Sequence, residues 1–512
     1  MGRFRQSMNW LHTWSGLVCA WLLYFIFITG SLGYFENEID RWMKPELVIA
    51  DQAMADDKVL TLSLSELEKR ASDASMWYIS YPSNRDPFIE ISWLQPANQQ
   101  TGVTRKWHEA NIDPKTGKIN PVRDTIGAET LYRLHYNLHY IPVKLAYFVT
   151  SLATMIMMIA LITGIIIHKK IFIEFFTFRV NKGLRSWLDI HNVLSVLPLP
   201  FHLMITYSGL LLLMTVTLSP VIDTTYGQGS AKHREFYDLV QTETTEKQLI
   251  SMRANALSLE SVLNDAKQRY HNQDILFLGV IERNSHSPIY EVWLNENKGV
   301  EFATRIAYKG VGGYVQLAIS TGKEGVAATV YDVFEHLHEG LFAGPFLRWV
   351  YFISGLMGAA MIATGAIIWT RKRLQQRSGN TLTLKIIARL NAGFFVGVLT
   401  GLAVFFLSNR LLPFTFEQRA NWEIHSLFIT LFLCLLISVV MRANRIWTSL
   451  LLFTAFLFAL IPIVNSLTTE HNLIQSILDN DKIMLGFDLF MMVISALLLS
   501  AGLLIKNKGK SC

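Results

Sequence analysis

The feature that most constrains this chain is a series of apolar stretches, each long enough to cross a lipid bilayer. A hydrocarbon core about 30 Å thick is spanned by about 20 helical residues. Within it every backbone N–H and C=O must find a partner inside the segment, so such stretches fold as helices. Eight are read, at about 14–35, 143–167, 193–218, 346–369, 386–407, 422–441, 447–466 and 483–505. With 51% hydrophobic residues in 512, the chain is too apolar for an ordinary soluble protein. The first stretch has a long apolar core and no small-x-small site before Tyr34-Phe35-Glu36, so it reads as a span and not as a cleaved leader.

Cytoplasmic loops carry an excess of Lys and Arg. Here Arg3 and Arg5 precede the first stretch, and Lys169, Lys170, Arg179, Lys182 and Arg185 lie between the second and third. Arg371, Lys372, Arg373 and Arg377 follow the fourth, Arg442 and Arg445 the sixth, and Lys506, Lys508 and Lys510 the eighth. All fall on one side of an eight-helix topology, which puts both termini in the cytoplasm. The net charge of +6 then reflects topology and contact with membrane lipid, and calls for no nucleic-acid partner. The three cysteines give no disulfide framework: Cys19 and Cys434 lie in apolar helices and Cys512 is terminal.

The first four stretches contain one unit twice. Leu11-His12, an apolar run and Thr29-Gly30 return as Ile190-His191, an apolar run and Ser208-Gly209, with the same interval from histidine to glycine. Each copy continues through a polar stretch to a second histidine-led segment. LHYNL (Leu134 to Leu138) leads to Thr163-Gly164, and LHEGL (Leu337 to Leu341) leads to Thr364-Gly365. The small pairs permit close helix approach, or leave room for a macrocycle. The expected division is a span at 1–35, an outer module at 36–132, a span at 133–168, a cytoplasmic loop at 169–186 and a span at 187–218. A second outer module at 219–336, a span at 337–370, a loop at 371–385 and a four-span C-terminal block at 386–512 follow.

Both modules read as small α+β units, one helix on a short antiparallel sheet. The first has a helical pattern (Leu64, Leu67, Ala71), strands at 76–81, 88–94 and 105–112, and a hairpin tip at Asp113-Pro114-Lys115-Thr116-Gly117-Lys118. The second repeats the order, with a helix at 258–270, strands near 275–283 and 288–295, and a strand near 313–320 ending at Thr321-Gly322-Lys323. The cytoplasmic loops are too short for a nucleotide or flavin domain.

A histidine at a membrane helix is costly unless it is paired, ligating or facing a cavity. Duplication about an axis along the membrane normal would set equivalent residues face to face. His12 and His191 then form an inner pair, and His135 and His338 an outer one. Two such pairs suit bis-histidine ligation of two b-type haems. His202 competes with His191, lying about 16 Å further along a straight helix at 1.5 Å per residue, and His139 competes with His135. Arg133 and Arg348 are candidates to pair with haem propionates, or else are interfacial residues that snorkel. His425 reads as interfacial, His108, His233, His271, His286 and His471 as solvated residues with a substrate metal as the alternative, and Asp488 as a hydrogen-bonded structural carboxylate with proton relay as the alternative.

The order LHxxxG (from Leu11-His12), DPxTG (from Asp113), LHxxL (from Leu134), DIH (Asp189 to His191) and LHxG (from Leu337) resembles the PepSY-associated transmembrane proteins over about residues 8–375. These include iron-regulated inner-membrane proteins and siderophore ferric reductases. Thr13 and Tyr136 stand where that family usually has a basic residue, and only a remnant of DPxTG survives near Ser320-Thr321-Gly322. The resemblance implies a bacterial inner-membrane oxidoreductase that reduces ferric iron, often siderophore-bound, on the periplasmic side. Its electrons would come from quinol or a cytoplasmic donor. The expected fold is thus a polytopic α-helical membrane protein of eight transmembrane helices, with two α+β PepSY-like periplasmic modules in an internal duplication. Two other readings belong to other classes. One is a non-enzymatic PepSY protein that binds or regulates a periplasmic peptide or protease, and the other is a siderophore transporter.

Overall fold

A computed structural model describes residues 2–508 apart from 51–53, 84, 98–103, 169–178, 180–181, 228, 230–233, 235, 237, 239–242, 272, 296–303, 324, 377–380 and 444. Lys169, Lys170, His233, Arg377, Lys510 and Cys512 therefore lie outside the described residues. The chain divides into two compact units. One comprises 1–45, 124–220 and 338–512, the other 46–123 and 221–337.

In chain order the helices are α1 (Gly2–Val18), α2 (Ala20–Gly33), α3 (Glu36–Met43), α4 (Asp56–Arg70), α5 (Gly127–Arg133), α6 (Val143–Ile167), α7 (Leu184–Val196) and α8 (Leu199–Leu212). Two short helices, α9 (Met214–Thr217) and α10 (Ser219–Thr225), precede α11 (Leu259–Arg269) and α12 (Gly325–Glu339). The remainder are α13 (Pro345–Leu374), α14 (Leu382–Leu411), α15 (Arg419–Val440), α16 (Ile446–Thr468), α17 (Leu473–Leu478) and α18 (Lys482–Lys508).

The first unit is that of a multi-pass membrane protein. Among the described residues six helices (α6, α13, α14, α15, α16 and α18) are long and apolar enough to cross a membrane, or up to eight spans if each bent pair counts as one. The bent pairs are α1–α2, at 64°, and α7–α8, at 62°. Leu197-Pro198-Leu199-Pro200 explains the second bend. Proline lacks the amide proton that the next helical hydrogen bond needs, and Pro198 itself leaves the helical region at φ −92°, ψ 19°, so α7 stops and a new helix starts at Leu199. The straight helix expected over 193–218 is therefore corrected, and with it the depth assigned to His202 from helix rise.

Helix α14 is the best-buried of the candidate spans. Its Gly393, Gly397 and Gly401 recur every fourth residue and let α15 come close. A Cβ at Gly401 would stand 2.8 Å from the Leu427 carbonyl oxygen, so this contact is made backbone to backbone. Charged residues at or beyond the ends of the expected spans are buried here. Arg41 pairs with Asp481 at 2.9 Å, and Arg419 with Glu423 at 2.6 Å. Arg410 bonds Asn465 at 2.8 Å and lies 3.7 Å from the centre of the Trp42 ring. Asp488 accepts from Trp42 Nε1 and Asn465 Nδ2, the structural role its sequence position suggests. The expected outer segments at 36–132 and 219–336 are trimmed accordingly, because 36–45, 124–132 and 219–220 pack with the helical unit.

The second unit is a sheet covered by α4 and α11. Its strands are β1 (Met76–Ser80), β2 (Ile89–Gln95), β3 (Lys106–Ile112), β4 (Ile119–Asn120), β5 (Glu243–Arg253), β6 (Asp274–Ile281), β7 (Ile289–Asn295), β8 (Thr304–Val311) and β9 (Tyr314–Lys323). All nine join one antiparallel sheet in the order β4-β3-β2-β1-β6-β7-β8-β9-β5. The two separate sheets expected from sequence are thus a single sheet, sewn together where β1 pairs β6. Gly279 permits that seam, since a Cβ there would meet Tyr78 at 2.5 Å. Leu67 of α4 and Val262, Leu263 and Ala266 of α11 bury against Ile79, Ile91, Leu278 and Val292.

The Asp113 tip forms as read. Its carboxylate accepts from the Lys115 backbone N–H at 2.8 Å and the Thr116 hydroxyl at 2.9 Å, and Gly117 takes φ +69°. Those bonds hold the Asp113 carboxyl below its ordinary range. The second half differs from expectation. Thr321-Gly322-Lys323 lies within β9, and the turn falls at Gly312-Gly313, both with positive φ, as a two-residue hairpin requires. Strands β5 and β8 were absent from the sequence reading.

Candidate functional site

Four histidines of the helical unit share one arrangement. Each ring lies against the glycine of a small-residue pair on a neighbouring helix, and each Nδ1 is tied to an oxygen. His12 on α1 faces Gly164 of α6, where a Cβ would stand 3.2 Å from the ring, and its Nδ1 bonds the Ala160 carbonyl at 2.9 Å. His191 on α7 faces Gly365 of α13 at 3.3 Å, and its Nδ1 bonds the Met361 carbonyl at 2.9 Å and Thr364 Oγ1 at 3.1 Å. His338 faces Gly209 of α8 at 3.3 Å and bonds Ser208 Oγ at 2.8 Å. His135, in the turn after α5, faces Gly30 of α2 at 3.5 Å and bonds the Tyr132 carbonyl.

These bonds select a tautomer. A carbonyl only accepts, so Nδ1 carries the proton in His12, His135 and His191, and Nε2 keeps its lone pair. Ser208 donates its own proton to the Met204 carbonyl at 2.7 Å, so its oxygen accepts from His338 Nδ1 in the same sense. A metal-ligating imidazole has this arrangement: the distal nitrogen is anchored and the other is left for the metal. Thr163 and Thr364 add hydroxyls beside two of the Nδ1 atoms, whereas the Thr29 hydroxyl is spent on the Phe25 carbonyl of its own helix.

The outer pair is brought together directly. The rings of His135 and His338 lie 6.2 Å apart between centres and 21° from parallel. They line a cavity of about 300 Å³ with Phe27, Tyr136, Thr154, Ile205 and both glycines. Of the tyrosines around it, the sequence singles out Tyr136 alone, as a departure from the family pattern. Tyr34 donates to the His338 carbonyl at 3.3 Å, and Tyr132 supplies the anchor of His135.

The competing residues lie elsewhere. His202 is fully buried on α8, but its Nε2 bonds the Ser354 carbonyl at 3.1 Å and its ring meets Phe27 edge-on. His139 is exposed and stacks on Phe428, with His425 at 6.4 Å. His425 in turn bonds the Tyr140 hydroxyl at 2.6 Å. Both arginines are engaged with carboxylates. Arg133 pairs with Glu129, and buried Arg348 pairs with Glu38. Among the described residues no group of three or more His, Cys, Asp or Glu side chains is placed to hold a metal ion.

The helical unit is that of a multi-pass membrane protein with four glycine-seated histidines, and its sequence is interrupted at 46–123 and 221–337 by the segments that form the sheet unit. The chain belongs to the PepSY-associated TM region family, whose model matches residues 9–372. Helices α14–α18 lie beyond the matched region. No curated protein matches the chain.

Proposed function

We propose that the protein is a transmembrane di-haem electron-transfer protein. It would reduce ferric iron, bound to a siderophore or another chelate, on the periplasmic side of the bacterial inner membrane during iron uptake. The observation that carries this reading is the seat repeated four times, with Nδ1 anchored and Nε2 free, together with the spacing of the outer rings. One iron between two imidazoles needs two iron–nitrogen bonds of about 2 Å, and each ring centre lies about 1.1 Å behind its nitrogen, so the centres would fall about 6.2 Å apart. His135 and His338 stand at that distance.

When bound, each haem supplies a one-electron couple whose potential depends on its axial ligands and their hydrogen bonds. His135 and His338 would hold the outer haem, and His12 and His191 the inner one. His191 is preferred to His202 because His191 shares the repeated seat, ring on Gly365 and Nδ1 on a carbonyl, whereas His202 is tied through Nε2 instead, and His135 to His139 because only His135 faces His338. The anchoring carbonyls of Ala160, Met361 and Tyr132 and the Ser208 hydroxyl orient the rings and set ligand basicity. A propionate reaching Arg348 would displace Glu38. In this proposal each bent pair is one span, giving eight with both termini cytoplasmic, and the two helix-on-sheet halves are PepSY-like copies within an internal duplication. Electrons would enter from quinol or a cytoplasmic donor.

The test is a reduced-minus-oxidised spectrum of the purified full chain. Two b-type haems per protein are expected, with one lost from His338→Ala and the other from His12→Ala. A haem-free wild-type protein would end the proposal.

A further inference from the structure

Glu423 on α15 is fully buried, in the helical block beyond the family-matched region. One of its oxygens accepts from Asn409 Nδ2 at 2.9 Å and from Arg419 at 2.6 Å. The other reaches across to the segment that enters α5, accepting from the Thr125 hydroxyl at 2.6 Å and the Ile126 backbone N–H at 3.0 Å. Arg419 grips the same segment through the Asp124 carbonyl at 2.6 Å, and Asn409 bonds Thr125 Oγ1 at 3.1 Å. A buried carboxylate matched by a buried guanidinium is costly to disturb, because removing either partner leaves a charge without its counterpart.

What this node holds is short and leads to one place. Helix α5 starts at Gly127, which has φ +74°, and the following Ala128 N–H is fixed by Asp40. The helix lasts two turns and ends at Arg133. Leu131 and Leu134 are buried, and the Tyr132 carbonyl anchors His135 Nδ1. So two turns of helix separate the Glu423 node from the anchor of the outer histidine.

We propose that Glu423, acting through Thr125–Ile126 and α5, is a positioning residue for His135, and that α14 and α15 serve to fix the outer imidazole in register with His338. The positional half stands on these contacts alone, while the consequence for an outer haem rests on the function proposed above. Helices outside the matched region thereby act on a histidine inside it.

The experiment uses the full chain with Glu423→Ala and the milder pair Thr125→Val and Thr125→Ser. Valine keeps the shape of threonine without its hydroxyl, and serine keeps the hydroxyl. Hydrogen exchange at 127–136 is expected to quicken about tenfold or more in Thr125→Val, and further in Glu423→Ala, while Thr125→Ser stays near wild type. Exchange at 355–365, beside His191, stays unchanged. In a redox titration Thr125→Val shifts the same haem that His338→Ala removes and leaves the other in place. Unchanged exchange at 127–136 in both Thr125→Val and Glu423→Ala overturns the proposal, as do equal shifts in both haems. The exchange measurement needs no haem, so a haem-free wild-type protein counts against the proposed function and leaves the positioning result to be judged separately.

Discussion

The four glycine seats make a selective prediction. A Cβ would stand 3.2 Å from the His12 ring at Gly164, 3.3 Å from His191 at Gly365, 3.3 Å from His338 at Gly209 and 3.5 Å from His135 at Gly30. Carbon–carbon contact is optimal at about 3.5–4.0 Å, so alanine asks the ring to yield by a few tenths of an ångström at Gly164, Gly365 and Gly209 and is accommodated outright at Gly30. Valine adds carbons about 1.5 Å further out, which overlap the imidazole and push it from its place. Overpacking of this kind costs about 1–3 kcal/mol. At about 1.4 kcal/mol per decade this lowers haem affinity about 5- to 150-fold. The assay is haem content per protein by pyridine haemochrome, with a redox titration to tell the two centres apart. Gly164→Val and Gly365→Val should lose or weaken one centre, and Gly30→Val and Gly209→Val the other, while all four alanine variants keep both. Valine variants that retain two haems at wild-type potentials would refute the seating argument. So would inner and outer variants that lose the same centre.

Three further outcomes are expected. Ser208→Ala removes the acceptor for His338 Nδ1, a bond of about 1 kcal/mol net. The less basic ligand should then move the midpoint of the outer centre to more positive potential and leave the inner one alone, as read by the same titration. Gly401→Leu forces α14 off the Leu427 carbonyl and should lower the thermal midpoint of the purified protein well beyond Gly486→Leu, where a Cβ meets nothing within 4 Å. Asp113 has its carboxyl lowered below the ordinary value of 3.8, so its contribution is present above that pH and disappears as pH falls through the folded value. Exchange protection at 113–118 in Asp113→Asn should therefore trail wild type at neutral pH and converge with it in acid.

Much of this was legible in the sequence because it depends on periodicity and spacing. Apolar length marks the spans, and the recurrence of histidines and small-residue pairs marks the repeat, but that each ring rests on the glycine of another helix's pair depends on the packing. Other features depend on which surfaces meet. Leu197-Pro198-Leu199-Pro200 carries its own break signal, but apolar character continues through it and hides the bend. The turn of the second module was sought at Thr321-Gly322, where the motif seemed to persist, and it lies at Gly312-Gly313, where the backbone needs positive φ. Arg410, Arg419 and Glu423 flank apolar runs, and a charge at the end of a run normally means a loop. Only the packed helices show them buried, Arg419 paired with Glu423 and Arg410 bonded to Asn465 and the Trp42 carbonyl. The seam between β1 and β6 pairs strands from distant parts of the chain, and neither strand's residues name the other.

The seats have one more consequence, in how labour is divided. His12 rests on Gly164 and His135 on Gly30, so the first pair of spans cradles its own two rings. His191 rests on Gly365 and His338 on Gly209, so the second pair does the same. Yet His135 meets His338 across the boundary between the two pairs. Either half alone owns its holders but lacks a counterpart, like one jaw of a vice. Carrying both halves on one polypeptide makes the encounter of His135 with His338 unimolecular.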